Sequence, residues 1–153
     1  LAHFFTVRVF QPTLNSGFPL LNPNQTRRDV SDFMHAMDSD LAPVVGQQVT
    51  LSADAGQRLA AWPRIDLLIQ RAKTPFVSKL LGGQVTECDL VAHAVETGLR
   101  RGFWFDAAAN AFVGSDGSRR TDAALRSLAN VAGQEVTYTC APPGSGRRIA
   151  AVN

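Results

Sequence analysis

Cys88 and Cys140 are the only cysteines among the 153 residues, and neither has a second cysteine or a histidine at metal-ligand spacing. Each lies in a strand-like run, residues 85–91 and 136–141. An isolated pair of this kind reads as one disulfide, and the alternative is two buried thiols. Neither reading accommodates structural zinc, an iron–sulfur cluster or covalent haem, which need clustered thiolates or a C-x-x-C-H motif. A disulfide here would close a loop of about 50 residues, valued at roughly 4 kcal/mol by chain entropy. It would also place the protein in an oxidising compartment, periplasmic or extracellular.

The other reactive residue types are scattered. His3, His35 and His93 form no pair at metal spacing, and each reads as a structural or surface histidine. Met34 and Met37 have the side chains to ligate haem iron, but both sit on an apolar helical stripe and read as packing residues. Asp116, Gly117 and Ser118 suggest a calcium loop, yet such a site needs 6–8 oxygens, and a plain turn is the simpler reading. No G-x-S-x-G, P-loop or dinucleotide fingerprint occurs. Three arginine pairs, Arg100/Arg101, Arg119/Arg120 and Arg147/Arg148, fall in the second half of the chain. They have the charge to converge on an acidic partner, but adjacent residues of a strand point to opposite faces, which favours dispersed surface charge.

The elements that must position these residues belong to a chain of globular character. The length fits one domain, or one domain with an appendage. Hydrophobic residues make up 45% and charged residues 18%, ordinary values for a packed domain. A net charge of +2 is too small to argue for nucleic acid or an anionic membrane surface. No apolar run reaches the ~20 residues of a bilayer crossing. The opening stretch, Leu1 to Val7, has no initiator Met, basic region or small-residue cleavage site. It reads as the inside of an element, so a cut precursor or part of a longer chain is expected.

Phe4, Phe5, Val7, Val9 and Phe10 open an apolar run, followed by a loop over residues 11–25 punctuated by Pro12, Gly17, Pro19 and Pro23. Thr26 then has the character of an N-cap, with Asp29 three residues later. Val30, Phe33, Met34, Met37 and Leu41 follow at helical spacing, and Pro43 bars continuation. Residues 46–51 are strand-like and 52–56 turn-like. Pro63 suits the first position of a helix facing inward through Ile65, Leu68, Ile69 and Ala72. Gly82 and Gly83 introduce a strand with Cys88, Leu90, Ala92 and Ala94 on one face and Asp89, Val91, His93 and Val95 on the other.

Residues 102–105 and 111–113 read as strands joined by a turn over 106–110, and Asp116 with Gly117 makes a second turn. Thr121 suits the N-cap of a helix carrying Leu125, Leu128, Ala129 and Ala132, with Gly133 just past its end. Val136, Tyr138 and Cys140 alternate along the next strand. A Pro/Gly turn over 142–146 then leads into residues 147–152, read as a final edge strand. The expected fold is α+β: an N-terminal helical arm over 1–41, then a domain over 42–153 with a mixed, mainly antiparallel sheet, two packed helices and one disulfide.

Two stretches resemble a known family. Leu1, Phe4 and Phe5, then Arg28, Asp29, Val30, Phe33 and Asp38, resemble the end of a cytochrome c domain in bacterial dihaem cytochrome c peroxidase-like proteins, where an apolar segment and a Pro/Asn-rich loop lead into a terminal helix. From Asp40 onward, the runs over 40–51, 88–91 and 137–149 are similar to a C-terminal extension on such exported proteins. In relatives that ending continues into an acidic tail, where this sequence has Ala150, Ala151, Val152 and Asn153.

The resemblance implies haem-binding motifs upstream of Leu1, no cofactor bound by this chain, and haem in a partner or upstream region. The function it implies is a non-catalytic structural or docking domain of a periplasmic or extracellular electron-transfer complex. The alternatives are the C-terminal piece of a c-type haem peroxidase-like enzyme, or a free-standing extracellular binding module. Expected partners are other protein subunits of redox or membrane complexes, with no nucleic acid and no transmembrane segment. Phe4, Phe5, Val7, Val30, Phe33, Met34 and Met37 are the expected partner contacts.

Overall fold

The computed structural model describes Arg28, Asp29 and residues 40–151. The chain divides into two units, Leu1–Ser39 and Asp40–Asn153. In the first unit, the described residues Arg28 and Asp29 are helical and exposed.

No residue of β8 (Val136–Ala141) is exposed, so its backbone groups need partners within the sheet. Val136, Tyr138 and Cys140 are fully buried on one face, while Thr137 and Thr139 are half-buried on the other. Such a strand needs a neighbour on both edges, and it has β1 (Gln48–Leu51) on one side and β4 (Asp89–Glu96) on the other. The sheet continues through β5 (Leu99–Asp106), β6 (Ala111–Gly114) and the short β7 (Arg119–Arg120), in the order β1-β8-β4-β5-β6-β7. Every described pairing is antiparallel. A separate two-stranded ribbon joins β2 (Pro75–Ser78) to β3 (Gly83–Thr86).

Helix α1 (Ala55–Arg71) packs against β1 and β8, and α2 (Asp122–Leu128) against β4 and β8. Ala61, Ile65 and Leu68 of α1 and Leu125 of α2 meet Leu51, Leu90, Ala92, Phe103, Phe112 and Tyr138 in one core. Fully burying the Leu, Ile and Phe side chains among them contributes about 1.5–3 kcal/mol each. The Phe112 ring meets Tyr138 edge-on at 5.8 Å, a favoured aromatic geometry. Helix α3 (Gly146–Ala150) lies on β4 and β5, where Ala150 and Ile149 pack with Val91, Ala141 and Trp104 in a smaller cluster. The sheet thus carries two helices over its main core and one short helix over its other face.

Four local expectations are corrected. Residues 52–56 are not a free turn: the Asp54 carboxylate accepts from Gln57 N at 3.0 Å and caps α1, which starts at Ala55. Turn-formers and N-caps are the same residue types, so composition does not separate them. Pro63 therefore lies inside α1, where its missing N–H leaves the Leu59 carbonyl without its helical donor. Residues 147–150 are helical, not an edge strand. Ile149 N donates to Ser145 O at 3.0 Å, and Gly146 N, at the start of that turn, donates to the Asp89 carboxylate at 2.8 Å. Five residues are too few for period to tell helix from strand. Helix α2 also ends sooner than expected, with Ala129 as its C-cap and Gly133, at φ +80°, in the following turn.

Candidate functional site

Cys88 lies one residue before β4 and Cys140 is in β8, where Leu90 and Cys140 are cross-strand partners. Their sulfurs are joined 52 residues apart in sequence, and both side chains are in the main core. Cys88 faces inward with Leu90, Ala92 and Ala94, and His93 points to the other face, where its Nε2 lies 3.1 Å from Ile149 O. The disulfide pins the point at which the β2–β3 ribbon returns to the sheet.

That ribbon is built to hold its tip rigidly. Phe76 packs onto the core, and Glu87 N donates to Thr74 O at 2.9 Å, closing the base. Ser78 is fully buried; its hydroxyl donates to Asp40 Oδ2 at 2.7 Å and accepts from Leu81 N at 3.0 Å. Asp40 Oδ2 also accepts from Leu80 N at 2.7 Å. The Leu80 amide and then the Ser78 hydroxyl favour the charged form and hold the Asp40 carboxyl below its usual range. The outcome is an apolar tip facing water, with Val77 70%, Leu80 76% and Leu81 47% exposed. Large exposed apolar side chains grouped on one element mark contact surfaces. The signal in sequence is the run Lys79, Leu80, Leu81, Gly82, Gly83, two leucines inside a turn; reading the glycines as a strand introduction hid it.

Beside the single ion pair Arg71–Glu87, the described charged groups form two clusters. In the first, Glu96 is shared by Arg101 (3.1 Å) and Arg120 (2.9 Å), and Arg101 also reaches Asp116 at 3.4 Å. Arg101 Nε is near Glu96 without an aligned hydrogen bond, so that contact is coulombic. The Asp116 carboxyl is held below its usual range, first by the Ser118 hydroxyl and then by the Ser118 amide, which donates at 2.9 Å. Asp116 thus closes its own turn. In the second cluster, Arg126 joins Asp66 of α1 to Asp122 of α2, and the buried Tyr138 hydroxyl donates to Asp122 Oδ1 at 3.2 Å. Burial first, and the Asp122 charge second, push the Tyr138 phenol well above its usual range. This cluster ties both helices to β8.

Comparison with known proteins finds no matching family model, no matching curated protein and no matching solved structure. Among the described residues no group of three or more His, Cys, Asp or Glu is placed to hold a metal ion, and no helix is long and apolar enough to cross a membrane. The expected partner contacts Phe4, Phe5, Val7, Val30, Phe33, Met34 and Met37, together with His3 and His35, lie outside the described residues. What the described surface presents is contact chemistry: the apolar hairpin tip, and Leu59, Trp62 and Leu67 exposed on α1.

Proposed function

We propose that this chain is a non-catalytic docking domain of an exported protein assembly, and that the assembly carries electrons through a c-type haem protein. The observation that carries the docking part is the hairpin tip, where Val77, Leu80 and Leu81 face water on a turn fixed by Ser78 and Asp40. A preorganised apolar tip loses little conformational entropy on contact and so favours association. The Cys88–Cys140 disulfide supports export, because such bonds persist outside the reducing cytosol. The haem partner follows from the resemblance of residues 1–41 and of the later runs to exported cytochrome-like proteins.

The test places a photo-crosslinking amino acid at Leu80 in the native host, irradiates whole cells and isolates the adduct. An adduct with a second polypeptide carrying covalent haem, seen as a Soret band, is expected. Adducts containing only copies of this chain, or a partner without haem, would overturn the electron-transfer reading. Haem found on the same polypeptide, in the product of the intact gene, would assign the chain to the body of a haem enzyme.

A further inference from the structure

The three arginine pairs acquire a pattern once folded. Strand alternation sends Arg101 and Arg120 to the main-core side, where both meet Glu96. Their neighbours Arg100 and Arg119 emerge on the opposite face of the sheet, the face that carries Trp104. The register fixes this: Val91, Trp104, Val113 and Arg119 form one row across four strands. Arg147 of α3 lies over the Trp104 ring at 4.4 Å.

Arg100, Arg119 and Arg147 are exposed, and none has a carboxylate within ion-pair distance among the described residues. The acids nearest that face are engaged with backbone: Asp89 accepts from Gly146 N, and Asp106 from Ala108 N and Ala109 N. Beside Trp104, a recess of about 300 Å³ opens between Asp89, Gly144, Gly146 and Arg147.

We infer that this Trp104–Arg147–Arg119 face binds an acidic, extended segment of a partner protein. A guanidinium stacked on an indole keeps its N–H edge free for bidentate contact with a carboxylate. Asp89, by holding the first turn of α3, fixes Arg147 before any ligand arrives. Two strand spacings separate Trp104 from Arg119, roughly 10 Å, which matches carboxylates three residues apart on a polyproline II segment, whose three-residue turn at ~3.1 Å per residue sets them on one side about 9 Å apart. Trp and Arg are also the residues on which binding energy concentrates at protein interfaces. Single-stranded nucleic acid fits less well, since it calls for several stacking aromatics along a basic groove, and this face has one.

The inference rests on the docking reading for the partner being a protein, and its test is separate. In a Trp62→Phe background, Trp104 is the remaining tryptophan. A peptide with glutamate at every third position is titrated against its fluorescence, beside the glutamine counterpart and an oligo(dT). The glutamate peptide is expected to change Trp104 emission and to bind more weakly as salt rises. Arg147→Ala and Arg119→Ala should each weaken it about tenfold, or ~1.4 kcal/mol, with Arg147→Lys between them and wild type. Arg64→Ala, an exposed arginine of α1, should leave binding unchanged. Equal loss in Arg64→Ala, equal binding of the glutamine peptide, or tighter binding of oligo(dT) would overturn the proposal. Peptide binding without a haem adduct at Leu80 would leave this face standing and remove only the electron-transfer reading.

Discussion

Replacing Tyr138 by Phe should change the stability of the domain in opposite directions at neutral and at high pH. The phenol is fully buried and donates to Asp122 Oδ1 at 3.2 Å. At pH 7 the variant loses a hydrogen bond to a charged acceptor, a cost of about 1.5 kcal/mol, softened because Asp122 keeps its ion pair with Arg126. Burial and the Asp122 charge raise the folded phenol's pKa, whereas in the unfolded chain it titrates near 10. A raised pKa means stability that is complete below the unfolded value and is lost as pH climbs toward the folded one. Between those limits the loss is about 1.36 kcal/mol per pH unit, so wild type should be weakened by about 1.4 kcal/mol at pH 11. The Phe variant has no phenol to titrate, and the remaining ionisable groups contribute equally to both proteins. The gap in unfolding free energy should therefore close near pH 11 and reverse above it. Urea unfolding followed by circular dichroism at pH 7, 9, 10 and 11 measures this directly. A gap of constant size across that series would refute the buried, Asp122-facing phenol.

Removing the disulfide as Cys88→Ala with Cys140→Ala should cost about 4 kcal/mol by loop entropy, visible in the urea midpoint. In the unaltered protein, denatured without reductant, no thiol should titrate. Ser78→Ala should cost about 1–2 kcal/mol and speed amide exchange at Leu80 and Leu81. The same amides should lose protection as pH falls below about 4, because the depressed Asp40 pKa supplies its hold on the turn above the unfolded value and loses it as the carboxylate is protonated. Pro63→Ala should raise stability by about 2 kcal/mol, the helix-interior penalty of proline less the chain entropy it removes from the unfolded state, read as a higher melting temperature.

The parts of the fold legible in the sequence are those where two signals coincide. The β5–β6 hairpin has the aromatics Phe103, Trp104 and Phe105 on one side of a turn-forming run and Phe112 on the other, and Asn110 in that turn takes φ 49°, as its type allows. Thr121 caps α2 by accepting from Ala124 N at 3.2 Å, with Leu125 next on the buried face. Val136, Tyr138 and Cys140 announce a buried strand by period alone. Where one residue type serves two conformations the reading failed: Asp54 as turn or cap, Pro63 as helix start or interior. What linear spacing cannot contain is convergence. Glu96 gathers Arg101 and Arg120 only because β4, β5, β6 and β7 stack in register. Asp40 reaches the hairpin turn across 40 residues of chain. The hairpin tip was missed for a different reason, since leucines in a turn look like core residues until their exposure is known.

The position of β8 between β1 and β4 sets the order in which this domain can be completed during synthesis. Thr50 and Thr137, whose hydroxyls meet across the β1–β8 pair, are 87 residues apart. Until the ribosome has delivered β8, β1 has no strand to pair with and β4 lacks one of its two neighbours. At roughly 5–20 residues per second that interval lasts several seconds, during which β1 and the free edge of β4 are open and prone to wrong pairing. Pairings this distant in sequence also slow folding itself. A nascent chain that cannot close early remains threadable, and Cys88 waits for the same late strand to bring Cys140. The topology delays final assembly until β8 has been made.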